Sequence, residues 1–248
     1  MTITLITGAN KGLGFESARR LIDLGHTVYV GARDAEKGAA AAESLGAKFV
    51  QLDVTDDASV DAAAATIRNA EGHLDVLINN AGVVGSRAEV ADITPETLNE
   101  TYATNVFGVV RVTHAMLPLL QKSTSPVIVN VSSGLGSFSR INDPDHIESK
   151  LVTVAYGSSK AAVTALTKSL SVEWSPRGVR LNALSPGYVD TPLNYLKADM
   201  HETWKRDIVI DRFATPAEVA GAVAFLLSDD AAYFVGSELL MDGGYSLR

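Results

Sequence analysis

The chain has 248 residues, a net charge of −8 and no cysteine. With 46% apolar residues it can bury a large core, which excludes global disorder, and its acidic balance argues against nucleic-acid backbone binding. Lack of cysteine excludes disulfides, thiolate nucleophiles and cysteine-ligated zinc. The five histidines, His26, His73, His114, His146 and His201, never share metal-ligand spacing, so no metal site is expected.

The first run, Met1–Ile6, reaches Gly8 without a charged leader region or a cleavage site, and so reads as a strand. No apolar run approaches the roughly 20 residues that span a bilayer. A soluble cytoplasmic protein without a membrane segment is the expectation.

Short apolar runs at Ile3–Thr7, Thr27–Ala32, Lys48–Leu52, Leu74–Asn79, Val127–Val131, Arg180–Ser185 and Glu238–Met241 predict strands. The middle ones are apolar on both faces, as strands inside a parallel sheet must be. Helical patterns lie between them, at Leu13–Leu24, Ala35–Leu45, Ser59–Ala70, Pro95–Leu120, Tyr156–Ser175 and Pro216–Leu227. Thr94-Pro95 and Thr215-Pro216 are N-cap signatures with proline at the first helical position. Gly25, Gly46, Gly72 and Gly178 sit just past helices, where a left-handed cap is useful. The alternation predicts a single α/β domain over 1–248, a doubly wound, seven-stranded, mostly parallel sheet of the Rossmann type. Two stretches break the rhythm, Gly134–Val154 and Asp190–Arg212, and insertions at strand C-terminal ends usually build binding sites or lids.

The first strand runs into Thr7-Gly8-Ala9-Asn10-Lys11-Gly12-Leu13-Gly14, which opens the first helix. Glycines let backbone approach a pyrophosphate, and the helix N-terminus supplies free N–H groups. The second strand ends Ala32-Arg33-Asp34. An acid at this tip would accept ribose hydroxyls and select NAD, whereas a cation would pair with the 2′-phosphate of NADP. Asp34 lies 20 residues after Gly14, but alternation makes Arg33 the first residue past the strand, and Lys11 adds a second cation. NADP(H) is therefore expected over NAD(H), the alternative being that Arg33 and Lys11 are simply solvated. Asp53 could cap the next turn or accept an adenine amino group. Asn79-Asn80-Ala81-Gly82 ends the fourth strand with small residues that permit close approach to a ribose.

Tyr156 and Lys160 are one turn apart on one helix face. A phenol near its free pKa of about 10 is a poor proton carrier at neutral pH, and a nearby ammonium would favour the phenolate. Ser132-Ser133 emerges at the C-terminal end of the fifth strand, and alternation selects Ser133 as the hydroxyl that meets a carbonyl, with Ser132 turned sideways. Asn105 lies inside the long helix, an unfavourable place unless its side chain holds a water or bends the helix toward Lys160.

With these residues in view the chain resembles a short-chain dehydrogenase/reductase over nearly its whole length. The resemblance rests on Thr7-Gly8-x3-Gly12-x-Gly14, Asp53-Val54, Asn79-Asn80-Ala81-Gly82, Asn105, Ser133, Tyr156-x3-Lys160 and Pro186-Gly187-Tyr188-Val189-Asp190-Thr191. It implies Tyr156 as general acid/base, Ser133 as carbonyl-orienting hydroxyl, Lys160 as tuner of the tyrosine and holder of the nicotinamide ribose, and Asn105 as holder of a relay water. It further implies that Gly8, Asn10, Lys11, Gly12, Leu13, Gly14, Arg33, Asp53, Val54, Asn80, Ala81 and Gly82 bind the coenzyme, with Pro186, Val189 and Thr191 as the nicotinamide clamp. The first loop, Arg33, and the unusually long interval between Ser133 and Tyr156 are similar to carbonyl-reductase-like members, some of them monomers. Ala214–Ala220 and Met241–Tyr245 resemble the C-terminus of tetrameric members, so a homo-oligomer, dimer or tetramer, is the expectation.

These readings together imply an NADP(H)-dependent oxidoreductase that interconverts a ketone or aldehyde and an alcohol. The substrate would be a small and hydrophobic carbonyl compound, with 190–212 closing as a lid; Tyr195, Leu196 and Trp204 offer apolar surface for it, and packing against the helix beneath explains those three equally well. A non-catalytic dinucleotide sensor or scaffold is the alternative. A methyltransferase on a similar sheet explains the glycine loop but not Tyr156-x3-Lys160.

Overall fold

The computed structural model of the chain describes residues 1–86, 92–136, 154–191 and 201–247. The strands are β1 (Ile3–Thr7), β2 (Thr27–Ala32), β3 (Lys48–Gln51), β4 (Val76–Asn79), β5 (Val127–Val131), β6 (Arg180–Pro186) and β7 (Glu238–Met241). They form one seven-stranded sheet in the order β3-β2-β1-β4-β5-β6-β7, and every neighbouring pair is parallel. The order reverses between β1 and β4, where Thr4 is level with Val76. Crossovers leave this point in opposite directions, so a crevice opens beyond the C-terminal ends of β1 and β4.

The helices are α1 (Gly12–Asp23), α2 (Ala35–Leu45), α3 (Asp57–Glu71), α4 (Pro95–Tyr102), α5 (Gly108–Leu120), α6 (Val154–Trp174), α7 (His201–Asp207) and α8 (Pro216–Leu227). Strand alternation sends Leu5, Leu77 and Ile128 to one face of the sheet, where Val112 and Met116 of α5 cover them. Ile6, Ile78 and Val129 point to the other face, under Ala18 and Leu21 of α1 and Val219 and Val223 of α8. Each fully buried Leu or Ile contributes about 2 kcal/mol, and the central strands carry them on both faces, as the unbroken apolar runs require.

Thr94 and Thr215 both close capping boxes with proline in the first helical turn. Gly46, Gly72 and Gly178 take the left-handed caps. Several expected boundaries move by one or two residues, and two differences have a visible cause. The fourth strand starts at Val76 rather than Leu74, because the Leu74 N–H bonds the Leu119 carbonyl of α5 instead of a strand neighbour. The single helix expected over Pro95–Leu120 is interrupted by a π-helical turn at Ala103–Phe107. Pro95–Leu120 is 26 residues long and, by length and composition alone, apolar enough to cross a membrane. In this fold its Val112, Met116, Leu119 and Leu120 face the core.

Candidate active site

The first loop is stitched to the end of β4. Thr7 Oγ1 accepts hydrogen bonds from the Asn80 and Ala81 N–H groups at 3.0 and 2.9 Å. Asn80 Nδ2 donates to the Thr7 and Gly8 carbonyls at 2.9 and 3.1 Å. Glycine is required on steric grounds: a Cβ on Gly14 would sit 2.5 Å from Asn80 Nδ2, and one on Gly8, at φ +65°, 2.9 Å from Ala81 Cα. Gly12 differs, with φ +58° and open space around its missing side chain. The N-cap Lys11 gives α1 no side-chain hydrogen bond, so the first-turn N–H groups keep their partial positive charge for a ligand. Lys11 is exposed, and Asn10 and Leu13 are half-buried. This open backbone cradle fits a dinucleotide pyrophosphate. Asn80 and Gly14 serve it from behind, by holding the loop's shape.

At the tip of β2 the two candidate residues separate. Asp34 is the N-cap of α2: its carboxylate accepts from the Lys37 N–H at 3.0 Å and pairs with the Lys37 ammonium at 2.9 Å. Both attachments hold this exposed carboxyl below its usual value. Arg33 is exposed, and its backbone carbonyl accepts from Gln51 Nε2 at 3.3 Å. Asp53 Oδ1 accepts from the N–H and hydroxyl of Thr55 at 2.9 and 2.7 Å, as a cap of the next turn does. Val54 packs against Gly108, where a Cβ would approach its Cγ2 to 2.8 Å, and belongs to the core.

The reacting end is assembled from four segments. The π turn carries Asn105, whose side chain is buried and saturated. Its Oδ1 accepts from the Val83 N–H at 2.8 Å, and its Nδ2 donates to the Val83 carbonyl and to Ser159 Oγ, each at 2.9 Å. Both amide hydrogens are spent, and the side chain ties the turn after β4 to α6. A π turn inside a helix frequently marks a functional position, and here it accommodates that tie. The missing Gly82 side chain lies within 3.4 Å of both Asn105 Oδ1 and Lys160 Nζ, so the segments at 80–82, 105 and 160 converge.

Lys160 is buried at 4% exposure, and its ammonium donates to the Val131 carbonyl at 2.8 Å. Loss of hydration lowers its pKa from 10.5 to about 8. The ammonium lies 5.7 Å from the centroid of the Tyr156 ring. Tyr156 is half-buried and shares a hydrogen bond with Ser133. The expected depression of the phenol pKa does not hold here. Burial pushes it up, opposed only by the Ser133 bond, because the ammonium is turned toward Val131. Ser132 is turned sideways, donating to the Lys160 carbonyl at 2.8 Å.

Beyond β6, Pro186 is buried in the strand end, and Val189 forms a bridge to Ala214. Thr191 is buried, with its hydroxyl toward the Val189 carbonyl at 3.5 Å. Trp204 takes the packing alternative: it stacks on Tyr188 at 4.7 Å in a small core with Ile208, Phe213 and Tyr245. Packing an indole into that cluster removes more apolar surface from water than leaving it on a pocket wall. Tyr195 and Leu196, and Gly134–Val154 beyond Gly136 and before Val154, lie outside the described residues. Sequence reasoning missed Ser159, which donates to the Tyr156 carbonyl at 2.7 Å and accepts from Asn105. Its only signal was its place between the tyrosine and the lysine.

The family model described as Enoyl-(Acyl carrier protein) reductase, a short-chain dehydrogenase type, matches residues 8–246. The chain is 36% identical to cis-4-hydroxycyclohexanecarboxylate dehydrogenase of Sinomonas cyclohexanicum, covering 98% of this chain and 96% of that one. It is 33% identical to a 3-oxoacyl-(acyl-carrier-protein) reductase of Vibrio harveyi, with coverage of 98% and 96%. The crystal structure of ribose-5-phosphate isomerase from Brucella melitensis has the same fold, with a TM-score of 0.89 at 31% identity over 98% of this chain and 91% of that one.

Proposed function

Because the chain belongs to the short-chain dehydrogenase/reductase family of oxidoreductases, whose members use nicotinamide dinucleotides, we propose that it is an NADP(H)-dependent reductase of ketones or aldehydes, reversible to the alcohol. The observation that carries the reading is the convergence of Ser133, Tyr156 and Lys160 beside the Asn80–Gly82 turn, at the strand ends where such sheets bind ligands.

When bound, the nicotinamide supplies or accepts the hydride. The chain supplies the rest. Ser133 and Tyr156 hydroxyls meet at one point, where a carbonyl oxygen accepts a hydrogen bond from each. Tyr156 then gives its proton to the oxygen as negative charge develops there. A phenol held protonated by burial begins in the form that reduction needs. Lys160 holds positive charge next to Gly82, where the ribose of the coenzyme would lie. Gly8 to Gly14 hold the pyrophosphate, Pro186, Val189 and Thr191 flank the nicotinamide, and Asp53, Val54 and Ala81 bound the adenosine end. Preference for NADP(H) over NAD(H) is supported by Arg33, whose exposed side chain stands past β2, and by Asp34, whose carboxylate is occupied as a helix cap.

The substrate is a small carbonyl compound, with α7 part of the segment that closes over it. The exposed edge of β7, with Leu240 40% exposed, supports assembly into a dimer or tetramer, which light scattering tests. A cytoplasmic location follows from the same reading, and cell fractionation tests it. The decisive experiment for the chemistry is Tyr156→Phe. NADPH oxidation across a panel of ketones should fall by at least about a hundredfold, with coenzyme affinity kept; survival at the wild-type rate refutes the mechanism.

A further inference from the structure

Three consecutive residues at the C-terminal end of β5, Val131, Ser132 and Ser133, hold α6 between Tyr156 and Thr164. The Val131 carbonyl takes the Lys160 ammonium at 2.8 Å. The Ser132 hydroxyl donates to the Lys160 backbone carbonyl at 2.8 Å and meets Thr164 Oγ1 at 3.0 Å. The Ser133 hydroxyl shares a hydrogen bond with the Tyr156 phenol. The strand end is itself fixed from the other side, because the Ser132 N–H bonds the Leu184 carbonyl of β6 at 2.7 Å. Gly136 closes the fit: a Cβ there would lie 2.8 Å from the Ala161 nitrogen and 2.9 Å from the Lys160 carbonyl carbon.

Of these contacts, two involve side chains that the proposed chemistry itself uses. Ser132 does not touch the reacting atoms, is 3% exposed, and bonds both the Lys160 main-chain carbonyl and the Thr164 hydroxyl of the helix. Apolar packing between a helix and a sheet is non-directional and tolerates sliding, whereas a hydrogen bond to one named carbonyl fixes rotation and axial position together. We propose that Ser132 is a positioning residue that sets the register of α6 against β5, and thereby the separation of Tyr156 from Ser133. This rests on the reading of Tyr156 as the proton donor. The structural reason is geometric: Ser133 and Tyr156 lie on different elements, and Ser132 is the side chain, next in sequence to Ser133, that locks those two elements to each other at Lys160. A misplacement of about 1 Å at a reacting centre costs about a hundredfold in rate.

The test is a double-mutant cycle on the coenzyme-bound enzyme. Ser132→Ala should lower kcat roughly ten- to hundredfold while leaving KM for the coenzyme within about twofold. Ser132→Thr, which keeps the hydroxyl, should recover much of the loss. In the Tyr156→Phe background, Ser132→Ala should cost nothing further, because there is no longer a phenolic proton to aim. In the coenzyme-free protein with 15N-labelled lysine, the Lys160 Nζ resonance should move in Ser132→Ala, reporting a shifted helix turn without reference to turnover. A wild-type kcat in Ser132→Ala, or a full further loss in the double variant, overturns the positioning role. An unimpaired Tyr156→Phe overturns the proton-donor reading instead, so the two failures are distinguishable.

Discussion

Lys160→Met is predicted to make the coenzyme-free protein more stable while destroying its activity. The ammonium is 4% exposed and has a pKa of about 8 against 10.5 in the unfolded chain. At about 1.4 kcal/mol per unit, holding it charged in the fold costs roughly 3 kcal/mol at neutral pH. Its hydrogen bond to the Val131 carbonyl returns about 1 kcal/mol that the variant forgoes. Methionine has nearly the same length and no charge, so the expected gain is about 2 kcal/mol, or a melting temperature higher by about 4–8 °C for a chain of this size. The folded pKa is the depressed one, so the burden is full below about 8 and vanishes above the unfolded value of 10.5. Thermal melts of both proteins should therefore differ most at neutral pH and converge as the solution is made alkaline. A variant that melts below wild type at neutral pH, or a gap that does not narrow with rising pH, refutes the reasoning that this lysine is retained at the expense of stability.

Arg33→Ala should raise KM for NADPH by about tenfold or more and leave KM for NADH nearly unchanged; an equal effect on both coenzymes removes the 2′-phosphate contact. Because burial holds the Tyr156 phenol above its ordinary value, reduction should keep its rate through neutral pH and fall only in alkali, whereas alcohol oxidation, which needs the phenolate, should climb with pH. Initial rates in the two directions across a pH series check this, and parallel profiles contradict it. Gly8→Ala places a side chain at φ +65°, 2.9 Å from Ala81 Cα, and should cost at least about 1 kcal/mol in urea unfolding as well as most of the coenzyme affinity; unchanged stability would show the loop is free to rearrange.

The strand runs were legible because a strand buried on both faces must be apolar without alternation, and Leu77 and Ile78 satisfy opposite faces of the sheet in adjacent positions. The caps at Thr94 and Thr215 were legible because their chemistry is local. The interruption at Ala103–Phe107 was not, since Asn105 has its partners, Val83 and Ser159, far away in sequence. Nor was the fate of Trp204, which depends on Tyr188, Phe213 and Tyr245 meeting it.

The alternation of apolar runs and amphipathic stretches determined a parallel sheet with a crevice at its switch point, and the order of glycines, serine, tyrosine and lysine determined which residues stand at its rim. Only the folded structure set Arg33 and Asp34 apart, by occupying the acid as a helix cap and leaving the arginine exposed. It also reversed the expected direction of the Tyr156 shift, because burial raises the phenol while the ammonium points at a carbonyl. Residue types and spacing are properties of the chain, but hydration and the direction of a charge exist only once distant segments have closed around them.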